Sequence, residues 1–295
     1  MISEWQKFSD GLAAAVERAA QSVVSVAARQ HVPASGIVWS ADGEILTADH
    51  ALQRDDHIGI WLPDGKTAEA KVLGRDAASD LALLKLDVSG LTVPELVDSG
   101  VKVGHLVFAV GRPDGLQATL GSVVAVGGVV HTHRRHFAAY IQTDVTMYPG
   151  FSGGPLIDAS GRVLGLNSSA LVRGASLAIP VAEARAVADA LRRDGRVKYG
   201  YLGVGTQPVE LASPLAEKLN QPTGLMAISV EKDSPAEKGG LLQGDVLVNL
   251  NGQAVADIYD LQATLGPGTA GQTLLAKVVR GGELKELKLT PTVRE

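Results

Sequence analysis

The chain has 295 residues, 45% of them hydrophobic and 4% aromatic, enough apolar material for one large domain or two ordinary ones with real cores. Its formal net charge of -5, with basic residues scattered apart from Arg134 and Arg135, carries no electrostatic footprint of nucleic-acid binding. The absence of cysteine excludes disulfides, cysteine-based metal sites and thiol catalysis, and is compatible with either redox compartment.

Residues Met1 to Phe8 contain neither a basic segment nor an apolar one, so they do not read as a secretory signal peptide. No run approaches membrane-spanning length. With Met1 as the native start the expectation is a cytoplasmic chain; a trimmed start leaves the periplasm or cell envelope as the alternative. Trp5, Phe8, Leu12, Val16 and Ala19 recur three or four residues apart, which predicts an amphipathic helix within a segment 1–21.

From Val23 to about Ile179 the text becomes short β-branched runs punctuated by Gly, Asp-Gly and Pro. Strands at such regular spacing, without alternating helices, predict a closed barrel or sandwich. After Pro180, an early Glu183, late Arg192 and Arg193, and Gly195 as a stop signal predict a helix that closes a domain over 22–196. The remainder, 197–295, mixes short strands with helical stretches near 212–219 and 256–265 and reads as a compact α+β module. No internal repeat is visible.

The strongest local signal is Gly150-Phe151-Ser152-Gly153-Gly154-Pro155, a serine in a glycine-dense turn between β-like runs. In such a turn the backbone amides of Gly150 and Ser152 can point at one oxygen and form an oxyanion hole, while the glycines let the backbone pass without a Cβ clash. A serine hydroxyl is a poor nucleophile near neutral pH, so the chain must supply a base and a group that orients it. His50, after the run ending Thr47-Ala48-Asp49, and Asp80, opening an apolar run through Leu86, are the candidates.

The order His50, Asp80, Ser152 is that of a chymotrypsin-type Ser-His-Asp triad, and the blocks EILTADHAL, DLALLKL and YIQTDVTMYPGFSGGPL resemble the HtrA/Deg serine proteases. Gly36-Ile37-Val38, Val110-Gly111, Asn167 and Ala178-Ile179-Pro180 also fall where that family has counterparts. The resemblance implies a mainly β, chymotrypsin-like double β-barrel with terminal helices, and an endopeptidase that cleaves unfolded or misfolded polypeptides through an acyl-enzyme. Such chemistry calls for no metal or organic cofactor. A catalytically weak pseudoprotease acting as a chaperone or peptide scaffold is the alternative.

Phe151 and Tyr148 stand where the family usually has asparagine, and Asp49 places a carboxylate beside the base; Asp49 is expected to point into solvent. Thr146 lies six residues before Ser152, with Met147 beside it, so an aliphatic preference is expected, from a pocket with Thr146, Met147, Asn167, Ser168 and Ala178 in its walls. His131, His133 and His136 have no carboxylate or cysteine to complete a set, and no metal site is expected there. The segment from His31 to Ser35 is short where some relatives carry a long regulatory loop.

Ser234-Pro235-Ala236 and the run from Gly240 to Gly252 resemble a bacterial PDZ domain. The resemblance makes Tyr201, Leu202, Gly203 and Val204 the loop that receives a peptide carboxylate on backbone amides, with an adjoining strand edge for the peptide. It also implies a homotrimer, for which Trp5 and Phe8 are the available aromatic residues.

Overall fold

The computed structural model describes residues 3–29, 32–132, 135–171 and 174–293. Helix α1 (Glu4–Ala20) is N-capped by Ser3, whose hydroxyl accepts the Gln6 N–H at 3.1 Å. It buries Ala15, Ala19 and Ala20 and leaves Trp5 and Phe8 exposed, at 81% and 50%. Its last turn is tied down by Arg112, whose guanidinium donates to the carbonyls of Ala20 (2.8 Å) and Val23 (2.7 Å).

Strands β1 (Val23–Ala27), β2 (Ala34–Val38), β3 (Glu44–Ala48), β4 (Ile58–Trp61), β5 (Thr67–Asp76) and β6 (Leu81–Leu86) close one barrel, in the order β1-β2-β3-β6-β5-β4. Strands β7 (Leu106–Gly111), β8 (Gln117–Thr132), β9 (Arg135–Thr143), β10 (Pro155–Asp158), β11 (Val163–Ser168) and β12 (Ser176–Pro180) close a second, β10-β11-β12-β9-β8-β7. Taken from its other end, the second order is the first shifted by one barrel. The repeat absent from the residue pattern is therefore present in the strand pairing.

Aliphatic side chains fill both barrels: Val24, Ile45, Ile58 and Leu84 lie in the first, and Val107, Ile141 and Leu156 in the second, with the Phe151 ring among them. Helix α2 (Val181–Asp194) ends on Gly195 at φ 69°, which no side chain adopts cheaply, and packs on β5, β6 and β11. Arg192 anchors it to β3 through a two-pronged pair with Glu44, 2.7 Å on each arm.

The chain divides into compact units at Met1–Arg196 and Val197–Glu295. The second unit contains β13 (Gly200–Tyr201), β14 (Val204–Glu210), α3 (Ser213–Leu219), β15 (Thr223–Val230), α4 (Pro235–Lys238) and β16 (Val246–Leu250). After these come β17 (Gln253–Ala254), α5 (Ile258–Thr264), β18 (Leu274–Arg280), β19 (Glu283–Leu289) and β20 (Thr292–Val293). Its main sheet runs β14-β15-β16-β18-β19, and β13 pairs with β20. Helix α4, only four residues long and capped by the Ser234 hydroxyl, has no periodicity to betray it.

His31, His133 and Arg134 lie outside the described residues, so neither the His31 segment nor the histidine trio has a structural outcome. No helix among the described residues is long and apolar enough to cross a membrane.

Candidate active site

Antiparallel pairing of β3 with β6 puts Ala48 opposite Leu81, which makes Asp49 and Asp80 neighbours, and the Asp49 N–H donates to the Asp80 carbonyl at 2.9 Å. Asp80 sits at φ 58°, a left-handed conformation that aspartate tolerates better than most side chains. The chain leaves β3 through a single short helical turn, Asp49–Ala51, which swings His50 back over Asp80. The buried Asp80 carboxylate accepts the His50 backbone N–H at 3.1 Å and faces His50 Nδ1 at 2.8 and 2.9 Å. A proton on Nδ1 in that bond leaves Nε2 with its lone pair free to act as a base. The Ser168 hydroxyl donates to the same carboxylate. A desolvated carboxylate is costly unless donors surround it, and here they do.

Asp49 departs from expectation. It is 8% exposed and paired with Arg75 Nε at 2.7 Å instead of pointing into solvent. The reason is the β5–β6 register, which sets Arg75 opposite Ala82, beside the turn. The same guanidinium donates to the carbonyls of Asp49 (3.1 Å) and Leu52 (2.9 Å) and to Asp55 Oδ1 (2.5 Å). Arg75 thus neutralises the carboxylate beside His50 and ties its turn to the barrel.

The Ser152 turn is wedged between the barrels. Gly150 and Gly153 have φ of 94° and 87°. A Cβ on Gly153 would lie 2.0 Å from the Ser35 carbonyl oxygen, and one on Gly154 2.1 Å from that of Val110. Ser35, on β2, is the bolt: its N–H donates to the Ser152 carbonyl (3.1 Å), its hydroxyl donates to the Gly150 carbonyl (2.7 Å), and that hydroxyl accepts the Arg112 N–H (2.8 Å). The amides of Phe151, Gly153 and Gly154 are consumed by Tyr148, Asn167 and Phe151 carbonyls. Among the described residues the N–H groups of Gly150 and Ser152 have no partner, which leaves two donors flanking one peptide unit.

The Ser152 hydroxyl is bonded to Ser169, at 3.0 Å from its Oγ and 3.3 Å from its N–H. Phe151 faces away from the site. Its ring is fully buried in the second barrel, edge-on to Tyr148 with centroids 5.8 Å apart.

The five expected pocket residues divide in two. Thr146 is exposed and Met147 half-buried against the second barrel core, while Asn167, Ser168 and Ala178 are fully buried. Ser168 spends its hydroxyl on Asp80, and Asn167 donates its amide to the Pro155 carbonyl at 2.7 Å. Ala178 packs inside the core.

In the second unit, the Leu202 carbonyl accepts the Ala236 N–H and the Gly203 carbonyl accepts the Glu231 N–H, both at 2.9 Å. Tyr201 donates its hydroxyl to Glu231 at 2.5 Å. Gly203 is at φ 72°, and a Cβ there would lie 2.4 Å from Ser234 Cβ. The N–H groups of Leu202 and Gly203 have no partner among the described residues, and β14, which begins at Val204, runs on beside α5.

Comparison with known proteins bears on the family and fold of the two units. The family model for a trypsin-like peptidase domain matches residues 34–166, and that for a PDZ domain matches 200–290. A solved structure of the HtrA-type protease AlgW with tripeptide superposes with a TM-score of 0.81, at 32% identity over 96% of this chain and 97% of that one. The chain belongs to the HtrA family of serine proteases. The serine endoprotease from Yersinia pestis gives a TM-score of 0.73 at 30% identity, covering 95% of this chain and 97% of that one. A probable periplasmic serine endoprotease DegP-like from Ectopseudomonas mendocina is 41% identical over 87% of this chain. The match spans 55% of that relative, so this HtrA chain covers about half the length of the curated relatives it resembles.

Those relatives overturn one expectation. The cytoplasm was inferred from the first eight residues, yet HtrA relatives at 38–41% identity are named periplasmic. A leader is recognised only where the sequence contains it, so residues 1–8 do not decide the compartment.

Ser35 and Arg75 are residues of the HtrA site that sequence reasoning did not single out, and Ser168, expected in the wall of the specificity pocket, spends its hydroxyl on Asp80 instead.

Proposed function

We propose that the chain is a serine endopeptidase that cleaves unfolded or misfolded polypeptides, with His50, Asp80 and Ser152 as its triad. The observation that carries this reading is the His50–Asp80 pair, 2.8 Å apart, set against a glycine turn whose Gly150 and Ser152 amides are unspent. Ser152 Oγ rotates off Ser169, His50 Nε2 takes its proton, and the oxygen attacks the peptide carbonyl. The developing oxyanion enters the Gly150 and Ser152 amides, preorganised donors that need no rearrangement as charge builds. The His50 imidazolium, held by Asp80, then protonates the leaving amine, and water repeats the sequence on the acyl-enzyme.

The Tyr201–Val204 loop receives the free carboxylate of a peptide on the Leu202 and Gly203 amides, and the peptide extends along β14 as an added strand, for substrate capture or regulation. The solvent-facing Trp5 and Phe8 on α1 serve as contacts between copies in a homotrimer. The compartment that fits the named relatives is the periplasm.

The test is casein hydrolysis and fluorophosphonate labelling of the wild type and Ser152→Ala, with light scattering for assembly. Loss of both activities in Ser152→Ala, by several orders of magnitude for turnover, is expected. A folded, assembled wild type that neither cleaves nor labels would sink the reading.

A further inference from the structure

Among the described residues β14 pairs with β15 on one side only, and it is the outermost strand of its sheet. Its backbone groups alternate in direction. The Gly203 carbonyl accepts from Glu231 and the Leu211 N–H donates to Pro222, both at 2.9 Å, so the odd-numbered residues from 203 to 211 turn their backbone groups toward β15. The even-numbered Val204, Thr206, Pro208 and Glu210 turn theirs to the open edge. The register shift between Gly205 and Thr206 places the extra residue on β15, which leaves the alternation along β14 intact.

A strand laid on that edge with its carboxylate at the Leu202 and Gly203 amides pairs its last residue with the Val204 carbonyl. Its third residue from the end pairs with both backbone groups of Thr206, and its fifth from the end comes opposite Pro208. Proline has no N–H to give, and its ring projects from the edge in place of that donor and holds the added strand off, so the Pro208 carbonyl is left without a partner as well. Apolar Leu202, Val204, Ile258 and Leu261 lie in one cluster at the carboxylate end, which suits an apolar last residue.

We infer that Pro208 sets the length of terminus that β14 recognises: backbone pairing holds the last and third-last residues of a peptide and stops before the fifth-last. The inference rests on the carboxylate-loop reading of Tyr201–Val204. Its consequence is a partner class: chain ends that need project only three or four residues from a folded body or an aggregate, with apolar character at the last residue and free sequence beyond the pairing stop.

The experiment uses the full chain with Ser152→Ala, to prevent cleavage, and fluorescein-labelled alanine peptides ending in valine with a free carboxylate, of three, four, six and eight residues. Fluorescence anisotropy is expected to give equal affinity, within about twofold, for four, six and eight residues. Adding Pro208→Ala is expected to tighten the six- and eight-residue peptides about thirtyfold, the worth of the two net hydrogen bonds that residue 208 then exchanges with the fifth-last residue, and to leave the shorter ones unchanged. Replacing the amide N–H of the third-last residue by an ester oxygen weakens binding to the chain that retains Pro208, and the same change at the fifth-last does not. Affinity that climbs with length as steeply when Pro208 is present as it does in the Pro208→Ala variant would overturn the pairing stop. A C-terminal amide that binds as well as the acid would instead overturn the carboxylate reading, and the register with it.

Discussion

Gly111 and Phe151 are complementary: the Phe151 ring fills the space over Gly111, where a Cβ would come within 2.9 Å of ring carbon Cδ1. The aromatic residue preceding Ser152 is therefore a core residue of the second barrel, and its bulk is accommodated by a glycine at the end of β7. Phe151→Ala is expected to cost about 3–5 kcal/mol of stability through the cavity it leaves. Gly111→Ala is expected to cost about 1–3 kcal/mol through overpacking, since the Cβ also meets Ser35 Oγ at 3.1 Å. Combining Gly111→Ala with Phe151→Leu relieves part of that strain, so denaturant unfolding of the double variant loses less than the sum. Strict additivity would refute the complementarity.

Ser35→Ala removes a hydroxyl that serves the Gly150 carbonyl and the Arg112 N–H together. The fold survives, at a cost of about 1–3 kcal/mol for the groups left unpaired. The turn that carries Gly150 and Ser152 loosens, and small displacements of reacting groups are expensive in rate. Fluorophosphonate labelling is expected to slow on the order of tenfold, with turnover affected more than KM. An unchanged labelling rate would show that the bolt is dispensable.

Arg75 makes an asymmetric prediction with Asp49. Asp49→Ala removes one partner of the guanidinium, whereas Arg75→Ala also strips the carbonyl of Leu52 and the carboxylate of Asp55. Arg75→Ala is expected to lower turnover more than Asp49→Ala does, with a coupling of about 1 kcal/mol between them in a double-mutant cycle. Arg75→Lys keeps the charge and loses the fork, so it restores little. Full rescue by lysine would mean that charge alone matters.

Glu44 has a pH signature. The hydrogen bonds from Arg192 hold its carboxyl below the usual range, against a smaller opposing effect of burial. A depressed folded pKa contributes stability above the unfolded value, about 4.3, that is lost as pH falls through the folded value. Wild type is expected to exceed Glu44→Gln by about 1–2 kcal/mol at neutral pH, discounted for the half-exposed Arg192, and the gap closes only below pH of about 4. A gap that stays constant down to acid-induced unfolding would remove the ion pair from the account.

Ser152, His50 and Asp80 stood out as candidates because nucleophilic catalysis demands particular residue types and because glycines and an apolar strand flank them locally. The roles of Ser35, Arg75 and Ser168 were not legible, since each depends on a partner far away in sequence: 115 residues separate Ser35 from Gly150, and 88 separate Ser168 from Asp80. Nothing beside them in the chain reports such a partner. Asp49 was misplaced for the same reason, its neutralising arginine lying 26 residues downstream. Strand spacing reached only as far as a closed barrel or sandwich; the double barrel came from the family resemblance, and the shared topology was not legible, because the order in which strands pair leaves no mark on residue periodicity. The direction in which the missing donor of Pro208 faces is set by the β14–β15 register, which no local sequence pattern reports.

The bolt from Ser35 to the Ser152 turn, and the reach of Ser168 back to Asp80, give the site a birth order. A ribosome delivers His50 and Asp80 with the first barrel, Ser152 well after them, and the serine that completes the Asp80 carboxylate's surroundings with β11. Domains tend to fold in the order in which they emerge. A half-made chain therefore lacks both the Ser152 turn and the hydroxyl that completes the surroundings of the Asp80 carboxylate, and the two halves of the site meet only when the second barrel has closed.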